Sequence, residues 1–363
     1  MKKKWLSGIL VAAMVAALAG CGGEKGSNDT QEPAANAPEA TEGEEAQEPA
    51  ASSDGAYEGE ELTLVLAHHL NDGHLATQMV AEFADLVAEK SGGKITIEVH
   101  GNSEIGNQAE TAEAIRMGTI DLCINDFPTM ATVYPKADIV ALPYMFNDWD
   151  HVAAFYDSDG CAEMIEDMAQ TVGVRIIGPS YDAFRAVYSQ EKITSLEDMK
   201  GLKIRVPDIP LYVSAFEAME CQTTIVSFSE IYTALQTGVV NALENSHNTV
   251  YTSALYEQTK YIAQTNHIFC DCSILANEAK LESIDPTAKA LVLECAAEAA
   301  RNHRDRVVTE TEKFKQLLLD EGMEYTDVDV EPFRQACTSV WEEYKSNVDG
   351  GAEMIEYVQG LAK

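Results

Sequence analysis

The residues best suited to chemistry in this chain are two arginines set among apolar neighbours. Arg205 closes the strand-like run GLKIRV just ahead of Pro207, and Arg185 lies in YDAFRAVYS beside Tyr181, Phe184, Val187 and Tyr188. A guanidinium at a strand end offers a planar fork of N–H donors that matches the two oxygens of a carboxylate. The same side chain also suits a structural ion pair, and the chain carries 60 Asp and Glu against 25 Lys and Arg. The residues alone leave both roles open. Patterns that carry catalysis are not found: there is no G-x-S-x-G or H-E-x-x-H, and no glycine-rich phosphate loop. His68, His69 and His74 suggest a metal, but adjacent histidines on a strand would face opposite sides. Cys270 and Cys272 near His267 lack the C-x-x-C spacing of zinc sites. The expectation is therefore no enzyme, no metal and no cofactor.

Alternating strands and helices must position these side chains. ELTLVLA (Glu61 to Ala67) reads as a strand, His74 to Lys90 as a helix and KITIEVH (Lys94 to His100) as a second strand. Asn107 to Met117 reads as a second helix stopped by Gly118, and IDLCIN (Ile120 to Asn125) as a third strand. This order implies an α/β fold with a parallel sheet. The pattern resumes at Val174 to Gly178 and at Gly201 to Val206, followed by helices near Leu211 to Met219 and at Phe228 to Gln236. Tyr261 to Phe269 and Cys272 to Leu275 read as two further strands. Pro286 to Glu321 then runs 36 residues without glycine or another proline, the mark of one long bent helix or two abutting ones crossing between lobes. No internal repeat is visible. About 300 residues follow Gly59, enough for two lobes, and ligands of such folds bind beyond the carboxyl ends of strands, in the cleft between lobes.

The N-terminus reads as a processing signal. Lys2 to Lys4 precede a short apolar run, Trp5 to Leu18, well below the ~20 residues of a membrane span. Leu18-Ala19-Gly20-Cys21 resembles a bacterial lipobox, which makes 1–20 a lipoprotein signal peptide and Cys21 the lipidated residue. Between Glu24 and Glu61 there are twelve acidic residues against one lysine, so 21–60 is expected to be a disordered acidic tether. The formal net charge of −35 argues against nucleic-acid binding and requires a local arginine cluster for any anionic ligand. Seven cysteines besides Cys21 show no disulfide framework and read mostly as small core residues.

EKSGGKITIEV (Glu89 to Val99), NSEIGN (Asn102 to Asn107), ALPYMF (Ala141 to Phe146), MKGLKIRVPD (Met199 to Asp208) and SFSEIYTALQTGVVNALEN (Ser227 to Asn245) occur in colinear order. This series resembles the solute-binding subunits of TRAP transporters, the DctP type, from Leu62 to about Tyr344. The resemblance implies a two-lobed periplasmic-binding-protein-like fold, with 61–181 plus 271–310 as one lobe and 182–270 plus 311–363 as the other, buttressed by a long helix. It places Arg205 on the family's main carboxylate-binding arginine, Arg185 on a second arginine reaching the same carboxylate, Asn245 on a ligand-contacting asparagine and Phe228 on a cleft aromatic. Phe228 also suits plain helix core. Where the family usually has Asp-Gly-Gln before Glu-Asn, this chain has Asn241, Ala242 and Leu243.

His69 and Asp126 fall just past strands, where relatives place polar contacts. A buried Asp126 would repel a second acid group and accept hydrogen bonds from hydroxyls, favouring a uronate or other sugar acid over a four-carbon dicarboxylate. Asp126 also suits a cap before Pro128, and a protonated His69 would instead pair with a second carboxylate. Sialic acid is a further option. The implied partners are a small organic acid, the integral membrane TRAP subunits, and the membrane itself through the lipid, with the receptor a monomer outside the cytoplasm. A sensory lipoprotein is the rival binding role.

Overall fold

The computed structural model describes residues 57–362. The apolar leader, Cys21 and most of the acidic tether lie outside the described residues. Strand β1 (Leu62–Ala67), helix α1 (Leu75–Lys90), β2 (Ile95–His100), α2 (Gln108–Met117) and β3 (Leu122–Asn125) follow the alternation read along the chain. Caps set their bounds: His74 accepts from the Ala76 N–H to start α1, and Asn107 with Glu110 forms a capping box on α2. Gly118, at φ 70°, ends α2 in the left-handed conformation that glycine adopts without strain. Helices α3 (Trp149–Tyr156) and α4 (Asp159–Val172) lead to β4 (Val174–Gly178).

The chain next builds β5 (Tyr181–Phe184), β6 (Ala186–Ser189), β7 (Lys203–Val206), α5 (Pro210–Ala218), β8 (Gln222–Ile225), α6 (Ile231–Gln236), β9 (Ala242–Asn245), α7 (His247–Thr252) and β10 (Tyr261–Gln264). It returns through β11 (Phe269–Asp271), β12 (Ser273–Asn277) and α8 (Glu278–Ser283) to α9 (Pro286–Asp320). Strand β13 (Glu324–Asp327) and helices α10 (Glu331–Ala336), α11 (Thr338–Asn347) and α12 (Gly351–Gly360) complete the described chain. The first lobe is a sheet in the order β2-β1-β3-β12-β4, the second a sheet in the order β13-β10-β6-β9-β7-β8, and β11 pairs with β5 between them.

Four expectations are corrected. The first sheet is parallel only across β2, β1 and β3; β12 enters antiparallel to both β3 and β4 because it arrives from the second lobe. Tyr261 to Phe269 is not one strand: Asn266 takes φ 47°, which breaks the extended run between β10 and β11. Phe228 is not mid-helix but opens a 3-10 turn, Phe228–Glu230, ahead of α6. β1 ends at Ala67 and His69 falls just past it, as read, so His68 and His69 are not held on a strand as the metal argument took them.

The stretch after Asp285 forms the single helix α9 of 35 residues, started by Pro286 at its first turn and by the Asp285 cap. Its buried Ala288, Val292, Ala296 and Ala299 pack in the first-lobe core with Met79 and Phe83 of α1. Further along, Leu318 joins the second-lobe core with Tyr188 and Leu243. One stiff element thus serves both lobes. The last helices also touch both: Tyr344 donates to the Lys136 carbonyl, and Cys337 packs on the Ala215 carbonyl of α5.

Candidate ligand-binding cleft

The carboxyl ends of β1 and β3 in the first lobe face those of β7 and β9 in the second, and a cavity lies between them. His69, Asp126, Arg185, Arg205, Phe228 and Asn245 all line it. Both lobes deliver polar groups through the same local device, although no repeat is visible along the chain. Asn125 ends β3 and accepts the Asp126 N–H, while Asn245 ends β9 and accepts the Ser246 N–H. Asp126 then accepts the Thr129 N–H, and Ser246 the Thr249 N–H, so each lobe opens its next turn with a side-chain cap.

Arg205 is 3% exposed. Its Nε donates to the Val226 carbonyl at 2.9 Å, and among the described residues no carboxylate forms an ion pair with it. Burial lowers its pKa to about 10, with Glu244 opposing and Arg185 reinforcing the shift, so the guanidinium remains charged at neutral pH.

Arg185 behaves differently. Its Nη2 donates to Glu244 Oε1 at 2.8 Å and to the Glu244 carbonyl at 3.0 Å, while its Nε donates to Oε2. Glu244, 0% exposed, also meets His267 Nε2 at 3.4 Å, and His267 Nδ1 lies 2.7 Å from Thr265 Oγ1. Burial raises the Glu244 pKa, but Arg185 and His267 outweigh it and hold the carboxyl below its ordinary value. Arg185 is thus paired with a glutamate, one of the two roles that the residues left open. Its guanidinium also stacks on Tyr212, 5.3 Å from the ring centroid. Glu244 and His267 were missed as site residues. The signal was present in β9, where an acid sits in the wholly buried string ALEN.

In the first lobe Asp126 does both things that its type allows. It caps the turn Phe127–Met130 through Thr129, and its Oδ2 accepts from Gln108 Nε2 at 3.1 Å while lining the cavity. Burial raises its pKa, against hydrogen bonds from Thr129. Burial, with His74, His68 and Arg205 adding repulsion, lowers the His69 pKa to about 3, which leaves its ring neutral rather than protonated. Its Nδ1 is buried without a partner among the described residues, and its ring meets Phe228 edge to face at 5.4 Å. Gln108, His74, Asp182, Thr249, Cys270 and Cys272 also line the cavity and were not singled out as ligand contacts. Among the described residues no group of three or more His, Cys, Asp or Glu is placed to hold a metal ion.

Comparison with known proteins agrees with this architecture. Residues 66–347 match the family described as bacterial extracellular solute-binding protein, family 7, DctP. A relative named sialic acid-binding periplasmic protein SiaP, from Vibrio cholerae, is 29% identical over 286 residues, 79% of this chain and 89% of its own. A TRAP periplasmic solute-binding protein from Haemophilus influenzae, solved with L-gulonate, superposes with a TM-score of 0.80 at 22% identity, covering 83% of this chain and 100% of that one. Another from Roseobacter denitrificans, solved with L-galactonate, gives 0.76 at 25% identity over 83% of this chain and 99% of that one. With the two-lobed fold, the interlobe cavity and a match over most of its length, the chain belongs to the DctP family, the solute-binding proteins of TRAP transporters.

Proposed function

We propose that the cleft binds a hydroxylated monocarboxylate of the sugar-acid class, with the ligand's carboxylate on Arg205. The observation that carries this reading is the charge balance of the cavity. Arg185 is paired with Glu244, whereas Arg205 is buried with no carboxylate in ion-pair contact among the described residues, so a ligand carboxylate can supply its partner. Arg185 and Asn245 line the same cavity. Phe228 supplies an apolar wall, and Asn245 has an amide N–H pair with no protein partner among the described residues.

The far pole sets the class. A second carboxylate would meet the Asp126 carboxyl and an uncharged His69, neither of which stabilises it. Hydroxyls, by contrast, can bond Asp126 and the orphan His69 Nδ1. The relatives named or solved with sialic acid and L-galactonate support this, since each ligand combines a single carboxylate with several hydroxyls. Arg205, Arg185, Asn245, Asp126, His69 and Phe228 are accordingly the ligand-binding residues of this reading.

The loaded receptor passes its ligand to integral membrane TRAP subunits, tethered by lipid on Cys21 and spaced from the membrane by the acidic segment. Metabolic labelling with a fatty-acid analogue, lost in Cys21→Ser, tests the anchor. A thermal-shift screen of hexonates, uronates, sialic acid and four-carbon dicarboxylates tests the ligand class. Stabilisation by a hydroxylated monocarboxylate, lost in Arg205→Ala, is the expected result. Stabilisation by dicarboxylates alone overturns the reading of the far pole.

A further inference from the structure

Two histidines reach across the cleft from the first lobe. The His69 ring packs edge to face on Phe228 of the second lobe, and His74 Nε2 lies 3.1 Å from Thr249 Oγ1 of α7. Both are buried, and both line the ligand cavity. His68 sits beside them, and His303 of α9 lies behind His74 with both ring nitrogens buried and unpartnered among the described residues. The charged groups facing this cluster are Arg205 and Arg185 across the cavity, Asp126 at the end of β3, Asp271 of β11, Asp182 of β5, whose Oδ1 is 3.6 Å from His74 Nε2, Asp72 near His68 and Arg306 near His303.

We propose that closure of the two lobes expels protons from His69 and His74, so that the receptor captures its ligand at neutral pH and opens to release it as the medium acidifies. This rests on the cleft being the ligand site.

The geometry sets the direction. Opening separates His69 from Phe228 and His74 from Thr249, returning both imidazoles to water, where an ordinary histidine titrates near 6.5. In the closed cleft burial lowers both, His69 to about 3, although Asp182 counteracts part of the shift at His74. Between these values the open form holds protons that the closed form cannot, so falling pH favours opening. A sugar acid keeps its carboxylate ionised between pH 8 and 5.5, so over that interval its own titration does not interfere. No anion counters the effect at His69: the charges acting on it, His74, His68 and Arg205, all add to it.

The test is calorimetric titration of the full chain with L-galactonate and D-glucuronate between pH 8 and pH 5.5, beside an interlobe distance measured on the same samples. Spin labels on Met117→Cys and Val239→Cys, exposed by 66% and 53% on the two lobes, report that distance in a Cys21→Ser background, since the other native cysteines are buried. The dissociation constant is expected to rise by up to about tenfold per pH unit below 6.5 for each histidine that must be neutral, with the labels moving apart. His69→Asn is expected to remove most of that rise, and His74→Asn a smaller part. An affinity and a distance that stay constant from pH 8 to 5.5, or a rise that persists in both variants, overturns the proposal. If neither acid binds at pH 8, the assigned ligand class falls. The distance in the unliganded protein then decides this inference separately: lengthening on acidification supports it, and no change overturns it.

Discussion

Arg185 and Glu244 form a wholly buried bidentate pair, 59 residues apart in sequence and joined where β6 lies against β9. Its effect is to engage Glu244 with Arg185 and to leave Arg205 with no carboxylate in ion-pair contact among the described residues.

Glu244→Ala is expected to destabilise the protein by about 3–5 kcal/mol, because it strands Arg185 in a dry site. Chemical denaturation at pH 7.5 measures this. Glu244→Gln, which keeps the shape and one acceptor, is expected to cost less.

The same pair gives an acid limb to the stability curve. Glu244 titrates below its unfolded-state value of about 4.3, so its stabilisation is present above that pH and is lost as pH falls through the folded value. Urea midpoints are expected to decline more steeply between pH 5 and pH 3 in the wild type than in Glu244→Gln.

Arg205→Met separates binding from folding. Removing an unpaired buried charge is expected to leave the empty protein as stable as the wild type or more so, and to abolish ligand-induced stabilisation. The loss in affinity, read by calorimetry, is expected at about 2–5 kcal/mol, or roughly thirtyfold and upward. A variant that is unstable and still binds its acid would contradict the charge balance drawn for the cleft.

The long helix packs backbone to backbone on the first sheet at Gly178, where an added Cβ would meet the Ala296 carbonyl at 2.9 Å. Gly178→Ala must push α9 away from β4 and is expected to lower stability by about 1–3 kcal/mol in thermal or urea unfolding. Gly173→Ala offers a contrast: nothing crowds that Cβ, and only its φ of 74° opposes the change.

Much of this molecule was readable along the chain because its signals are local. Hydrophobic alternation, the Asn107 cap, Gly118 and the glycine-free run after Pro286 each act within a few residues, so β1, α1, β2, α2, β3 and α9 appear close to where they were expected. The colinear family strings also placed Arg205 and Asn245, which the fold brings into one cavity. What the order of residues left open depends on partners far away in sequence. Whether an arginine in an apolar stretch faces a ligand or a glutamate depends on strand register, and the register of β6 on β9 gave Glu244 to Arg185 and none to Arg205. A histidine's charge likewise depends on what removes its water. His69 is neutral mainly because burial removes its water, with Phe228 of the other lobe packed on its ring; His74, His68 and, across the cavity, Arg205 add repulsion, and the burial is what local sequence cannot express. Periodicity and local caps determined the elements, and the colinear strings the family; strand register within the second sheet and burial between the lobes decided which arginine is paired and which histidine is neutral, because both are properties of the folded chain alone.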